Sequence, residues 1–496
     1  MKNWNLLFVL FSLSLLCACS QRSGKDRLPE TPNILFIAVD DLRPELGCYG
    51  VDLIHSPNID RLAAGGTMFE RAYCNIPVCG ASRASLMTGL RPARNRFLYY
   101  YTRADEDAPG ITTLPQHFRE NGYYTVSNSK VFHHADDAMQ SWDEVWTPRS
   151  SSHSWRDYAL RENILRDTSD RFRGPPFEMA VLPDTAYKDG KTAVKVMNDL
   201  RRLSRMESPF FLAAGFLKPH LPFNAPKKYW DLYEGKVRLP ENDRPPENAP
   251  PESLHNWGEL RAYAGIPPEG PLTDSMAGQL IHGYYACVSY TDAQIGKILD
   301  ELERLGLEEN TIVILWGDHG WNLREHGLWC KHCNYETSLH APLILKVPGT
   351  KQAGTFPGIV EFVDIYPTLC ELAGLELPDH LQGSSLMEML YDPGAAGDGV
   401  AVSRWFDGIT TIRDRYFYTE WVDDSDSAYA RMLYDHQVDP GENVNISEYP
   451  GQAATVEQMS REMRRSRGEH YFAMPARGAS SPSHSPVRPG WCSHPQ

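Results

Sequence analysis

The chain has 496 residues, 42% of them hydrophobic and 23% charged, with a formal net charge of -15. That length exceeds what one small core fills and points to two or more domains, and the composition is that of an ordinary soluble globular protein. The excess of acid argues against broad binding to a nucleic-acid backbone, because an acidic surface repels a polyanion.

The first segment reads as targeting rather than fold. Lys2 precedes an apolar run from Leu6 to Leu16, and Leu16-Cys17-Ala18-Cys19 resembles a bacterial lipobox. The run is shorter than the ~20 residues a bilayer span needs, so a lipoprotein signal peptide over 1–18 is preferred to a transmembrane anchor. Cys19 would then carry the lipid, 19–31 would be a polar tether, and the protein would be exported to the periplasm or cell surface on a bacterial membrane.

Asn33 to Val39 is a short branched apolar run, predicted to be a strand, that ends in Asp40-Asp41. Phe210 to Phe216 is a second predicted strand and runs into Lys218-Pro219-His220. Tyr284 to Leu305 has Ile295, Ile298, Leu299 and Leu302 at helical spacing, and Thr311 to Trp316 is a third strand ending in Gly317-Asp318-His319-Gly320. Strands apolar on both faces and alternating with helices imply an α/β domain, expected over 32–377. In such sheets functional groups lie beyond the carboxyl ends of the strands, so three polar strand ends point to one site. Beyond Leu377, Gly399 to Trp405 and Tyr416 to Val422 read as antiparallel strands of a smaller α+β subdomain, 378–463. Residues 464–496 are Arg-, Ser- and Pro-rich without periodicity, and a disordered tail is expected there. The ten cysteines are scattered rather than regularly spaced, which excludes a disulfide scaffold. Cys330-Lys331-His332-Cys333 is half of a zinc or redox motif and reads as a local disulfide or two inert thiols.

The sharpest motif is Cys79-Gly80-Ala81-Ser82-Arg83, followed by Ala84-Ser85-Leu86-Met87-Thr88-Gly89. It resembles the signature of the type I sulfatases, whose cysteine a maturation enzyme oxidises to formylglycine. Asp40-Asp41-Leu42-Arg43-Pro44, Ser56-Pro57-Asn58-Ile59-Asp60, Lys130-Val131-Phe132-His133, Lys218-Pro219-His220-Leu221-Pro222-Phe223 and Asp318-His319-Gly320-Trp321 are similar to the iduronate-2-sulfatase group within that family. Ala81 stands where Pro is commoner, a departure that bears on which maturation system accepts the chain. The resemblance implies an alkaline-phosphatase-like sandwich, with a large mixed, mostly parallel sheet between helices and a smaller C-terminal subdomain with an antiparallel sheet.

Asp40, Asp41 and Asp318 would converge as three carboxylates, which repel unless a hard cation neutralises them, and calcium suits oxygen ligands. By resemblance one Ca2+ is held by Asp40, Asp41, Asp318, His319 and a hydroxyl on modified Cys79. A thiol attacking sulfur would give a stable thiosulfate, whereas a hydrated aldehyde offers one hydroxyl for attack and a second for expulsion of sulfate. Arg83 is expected to clamp residue 79, Lys130 and Lys331 to meet sulfate oxygens, and Lys218 to bind substrate beside them. His133 is the expected base and His220 the acid for the leaving sugar oxygen, with His326 and His332 behind them or at the surface. Trp321 either packs on a sugar face or is buried. Phe97 to Tyr101 holds four aromatics in a loop near the catalytic turn, while Arg413 and Arg415 read as uronate contacts or solvated charge.

The function implied is an exo-acting sulfatase on a sulfated uronate-containing oligosaccharide or polysaccharide, a glycosaminoglycan fragment or a marine glycan such as ulvan. Two rivals remain: a phosphoester hydrolase on the same fold, and a glycan-binding lipoprotein whose Cys79 is never matured.

Overall fold

The computed structural model describes residues 31–150, 154–167, 173–349, 354–392 and 399–470. The expected signal peptide, all but the end of the tether, and the part of the expected tail beyond 470 lie outside these residues.

Seven-residue apolar runs buried along their whole length form the centre of an eight-stranded sheet. Its order is Gly354–Glu361, Thr67–Tyr73, Leu343–Lys346, Thr311–Gly317, Asn33–Val39, Phe210–Phe216, Tyr124–Ser129 and Glu144–Trp146. Leu343–Lys346 runs antiparallel to both neighbours, and every other pairing is parallel. Strands buried on both faces need helices on both sides. One group, Pro57–Ala64, Lys188–Leu203 and Asp274–Arg304, packs together, as does a second group of Cys79–Thr88, Leu114–Glu120 and Ile365–Leu372. The helix predicted from Tyr284 begins earlier, at Asp274, because the Thr273 side chain accepts from the Met276 N–H and caps an extra segment.

Register decides where the chemistry falls. Val39 is paired with both Phe216 and Gly317, and Gly215 with Ser129. Asp40, Leu217, Asp318 and Lys130 therefore leave the sheet at one level, on one edge. The strand Tyr124–Ser129, which has no long apolar run to announce it, delivers Lys130 to that edge.

A separate antiparallel sheet orders Val400–Trp405, Gly408–Arg413, Tyr416–Val422 and Ala428–Asp435. Its alternation is visible in one strand: Phe417 and Trp421 join the main core, while Tyr418 and Val422 pack with Met459 and Met463 of the last helix. That helix, Ala453–His470, continues past the boundary expected at 463. Its apolar face is seated on the small sheet, so tertiary packing extends it into a segment whose composition reads as disordered.

Candidate active site

Cys79 opens the helix Cys79–Thr88, directly after Val78 in extended backbone. The helix start is pressed against the 97–101 loop so closely that a Cβ at Gly80 would collide with the Tyr100 carbonyl. The Cys79 thiol is buried among polar groups rather than in an apolar core: Sγ lies 3.2 Å from His319 Nε2 and 3.6 Å from Asp41 Oδ1. Burial, reinforced by the Asp40 carboxylate, pushes the thiol well above its usual range, so the unmodified side chain stays protonated and is a poor nucleophile.

Asp40, Asp41 and Asp318 are fully buried and turn toward one another. The Asp41 N–H donates to Asp318 Oδ1 at 2.9 Å, and Asp41 adopts a left-handed backbone with φ 59°. Such a conformation costs a non-glycine residue free energy and persists where surroundings enforce it; here the Tyr284 hydroxyl donates to the Asp41 carbonyl at 2.7 Å. His319 Nδ1 faces the Gly320 carbonyl at 2.9 Å and must donate to it, which leaves Nε2 as a lone pair aimed at Cys79 and at Asp41 Oδ1, 3.4 Å away. That is the tautomer of a metal-ligating histidine, fixed from behind by a carbonyl.

Three fixed cations surround these acids. Arg83 Nε donates to Asp318 Oδ2 at 2.9 Å, Nη2 to Asp40 Oδ1 at 3.3 Å, and Nη1 to the carbonyls of Lys130 and Val131. Its donors thus clamp two carboxylates and the 130–131 backbone, not residue 79 as expected; a fully buried guanidinium goes where the nearest unpaired acids are. Lys130 Nζ bonds Asp40 Oδ2. Lys331 Nζ lies 3.2 Å from both Asp41 oxygens and 3.0 Å from Glu259 Oε2. Its neighbours Cys330 and His332 both have positive φ, so the turn aims the lysine inward. Cys330 and Cys333 are free and buried.

His220 sits on the Lys331 side. Nδ1 is 2.5 Å from the Leu221 carbonyl, and Nε2 is 3.1 Å from Glu259 Oε1 and 3.8 Å from Asp41 Oδ2. Burial, then Lys331, lowers its pKa below the usual histidine value, against the pull of Asp40 and Glu259; both ring nitrogens face acceptors, and the neutral ring donates to one of them at a time. His133 lies near Lys130, with its ring 6.2 Å from Tyr100 and a buried Nδ1 that has no hydrogen-bond partner. Burial, then Lys130, pushes His133 well below the usual histidine range, so it is a neutral base.

Two expected substrate contacts are placed otherwise. Lys218, 3% exposed, donates to the carbonyls of His220 at 2.8 Å and Pro222 at 2.6 Å. It positions the His220 loop instead of facing substrate, because among the described residues the His220 carbonyl has no backbone donor and needs one, while Pro222 also accepts from the Asn224 N–H at 2.8 Å. Trp321 is 1% exposed and packed between His220, Phe223 and the Lys331 ammonium, 4.7 Å over its ring, so it is a wall under the lysine and no sugar platform. Arg413 pairs with Glu462 at 2.7 Å and Arg415 with Asp435 at 3.3 Å, both within the C-terminal part. His326 stacks on Tyr335 and His332 on Trp405. Trp405 and Phe406, with Tyr99 5.9 Å from Phe406, carry the small sheet to the rim of the site.

Glu259 was invisible in the sequence. It lies in the short turn Gly258–Arg261, outside any periodic segment, yet its carboxylate joins Lys331 to His220. Burial opposes its ionisation, but Lys331 and His220 hold it well below the usual carboxylate range.

Counting Asp40, Asp41, Asp318 and Glu259 against Arg83, Lys130 and Lys331 leaves the site one charge negative with neutral histidines. Burial accordingly pushes the Asp41 carboxyl up to about 7, against Lys331 and with Asp40 adding to the rise. Candidate ligand atoms of Asp40, Asp41, Cys79 and His220, and of Cys79, Asp318 and His319, lie within 4.8 Å of one another. An oxygen-rich set with surplus negative charge fits a hard divalent cation.

A family model described as Sulfatase matches residues 32–375. The chain belongs to the sulfatase family. It is a sulfuric ester hydrolase, and a second model, described as N-sulphoglucosamine sulphohydrolase, C-terminal, matches 324–469. The chain is 34% identical to mouse iduronate 2-sulfatase over 421 residues, covering 76% of this chain and 74% of that protein. It is 31% identical over 470 residues to a sulfatase of Formosa agariphila, covering 88% and 87%. Among solved structures, one described as complexed with its substrate D-glucosamine-2-N,6-O-disulfate aligns with a TM-score of 0.73 at 22% identity, covering 90% of this chain and 99% of that one. The phosphonate monoester hydrolase of Agrobacterium radiobacter aligns with a TM-score of 0.72 at 21% identity, covering 89% and 97%. These likenesses show the alkaline-phosphatase-like fold that the sulfatase family shares with other ester hydrolases.

Proposed function

We propose that this sulfatase removes sulfate from the non-reducing end of sulfated, uronate-containing glycans, with Cys79 converted to formylglycine by a maturation enzyme and one calcium ion held by Asp40, Asp41, Asp318 and His319. The observation that carries the reading is the buried meeting of residue 79 with three carboxylates and three cations at one sheet edge. When present, the ion would polarise sulfate oxygens and the hydrated aldehyde would supply a hydroxyl nucleophile.

The rest is the work of the chain's own side chains. Arg83 holds Asp40 and Asp318 in place against their mutual repulsion. Lys130 and Lys331 stand on either side and offer positive charge to an incoming sulfate. His220, with Nε2 on Glu259, holds a proton at the atom that would deliver it to the leaving sugar oxygen. His133, neutral and with a free buried Nδ1, takes up a proton near Lys130. A proton given to the leaving sugar oxygen at one histidine and a proton taken from a hydroxyl at the other fit attack on sulfur followed by expulsion of sulfate. The relatives named for iduronate 2-sulfate support the uronate assignment. A lipid on Cys19 and placement in the periplasm or at the cell surface complete the proposal and rest on the 1–31 sequence.

Defined sulfated oligosaccharides, incubated with calcium and analysed for free sulfate and chain length, test the reading. Sulfate release confined to the non-reducing terminal residue is expected. Faster turnover of a matched phosphate ester, cleavage restricted to internal residues, or a Cys79 peptide from the native host that keeps its thiol sulfur would each overturn a stated part of it.

A further inference from the structure

The mouth of the site on the Glu259 side carries an arginine that no acid among the described residues pairs with. Arg173 is half-buried, with its guanidinium carbon 5.7 Å over the Trp155 ring and 5.2 Å from the Tyr263 ring. Its Nη1 donates to the Glu259 carbonyl at 3.4 Å, while its Nε is buried with no partner. Among the described residues no carboxylate pairs with Arg173. Arg156 makes the contrast: it also stacks on Trp155, at 5.1 Å, but its Nε is taken by Asp167 at 2.6 Å.

The arginine is held rather than loose. Its backbone forms a parallel bridge with Tyr263, and the next residue, Gly174, donates its N–H to Asp167. A guanidinium held over an indole can still offer its remaining N–H donors to a two-oxygen anion. Trp155 is 41% exposed and its ring centroid lies 5.4 Å from that of His220. Guanidinium, indole and the proton-bearing imidazole therefore run in sequence from the mouth toward Cys79.

We propose that Arg173, oriented by Trp155, is a specificity residue that binds a second oxyanion on the substrate, a carboxylate or an additional sulfate of the sugar that enters past His220. The inference rests on the anionic-glycan reading above. It accounts for a buried Nε donor without a hydrogen-bond partner beside the site, since such a donor is costly unless a ligand satisfies it.

Arg173→Ala and Arg173→Lys are compared with wild type on three matched sulfate esters: one with a neighbouring carboxylate, one with a second sulfate there, and one neutral. For Arg173→Ala, kcat/KM on one of the anionic esters should fall about 10- to 100-fold more than on the neutral ester, the range expected for lost charge-assisted hydrogen bonds. The loss should lie mainly in KM, and whichever anionic ester shows it identifies the group. Arg173→Lys should recover part of it, as a point charge without a fork. Equal losses on all three esters, or none on any, would overturn the proposal and leave Arg173 as a packing residue or a bystander. Calorimetric binding of the same compounds to a Cys79→Ala protein separates the two readings. If wild type releases no sulfate but anion-dependent binding still vanishes with Arg173→Ala, the glycan hydrolysis fails and the anion site stands.

Discussion

Replacing Lys218 by Met separates a positioning lysine from a substrate lysine. Methionine keeps the unbranched stem and removes the three donors, so the His220 carbonyl loses its partner at 2.8 Å, while the Pro222 carbonyl loses one at 2.6 Å and keeps the Asn224 N–H at 2.8 Å. Each buried carbonyl left unsatisfied costs about 1–3 kcal/mol. The ammonium also steadies Asp189, whose carboxyl is pushed up to about 6 by burial despite the Leu217 and Lys218 N–H groups and the Lys218 charge that pull it down. Relief from burying the ammonium offsets part of this, so with one carbonyl orphaned a net loss of about 2 kcal/mol is expected. A chain of 496 residues unfolds with an entropy of roughly 1 kcal/mol per kelvin, which converts the loss to a fall in Tm of about 2 °C. Thermal scanning should show that shift, and steady-state kinetics should show kcat reduced by about tenfold, as the His220 loop relaxes, with KM within about threefold. An unchanged Tm together with a KM raised tenfold would refute the argument and return Lys218 to the substrate.

Glu259→Gln leaves Lys331 on Asp41 alone and removes the carboxylate facing His220 Nε2; kcat/KM should fall about 10- to 100-fold, and full activity in the variant would mean that the Glu259 bridge is dispensable. Exhaustive dialysis against a chelator is expected to abolish sulfate release, with recovery on adding calcium, whereas undiminished turnover would contradict the oxygen-rich site as a cation site. Burial pushes His340 down to about 4, below the ~6.5 of an unfolded histidine. Its contribution to stability is therefore complete above about pH 6.5 and is lost as pH falls toward 4, by at most about 3 kcal/mol. Thermal midpoints at pH 7 and pH 5 should differ less in His340→Gln than in wild type, and an identical pH dependence would assign the acid sensitivity elsewhere.

Much of the fold was legible because the central strands are buried on both faces. Asn33–Val39, Phe210–Phe216 and Thr311–Gly317 announce themselves as short apolar runs, and the polar residues that follow each of them are the site. Tyr124–Ser129 was not legible, since a strand of mixed polarity looks like a loop until its partners are known. The run of the last helix past 463 was not legible either, because the Arg-rich segment there carries no apolar periodicity.

What the residues alone determine here is local: which runs are strands, where carboxylates follow them, and that Cys79 stands in a sulfatase motif. The chemical type of a side chain is written in the chain, but its partner is chosen by segments far away. Lys218 could meet a sulfate or a carbonyl, Arg83 the modified cysteine or its neighbouring acids, and Trp321 a sugar or the core. Packing decides each case, because a buried donor goes to the nearest unsatisfied acceptor. Glu259 and Arg173 come from short segments without periodicity, and only the tertiary structure brings Glu259 to His220 and Arg173 to the Glu259 backbone.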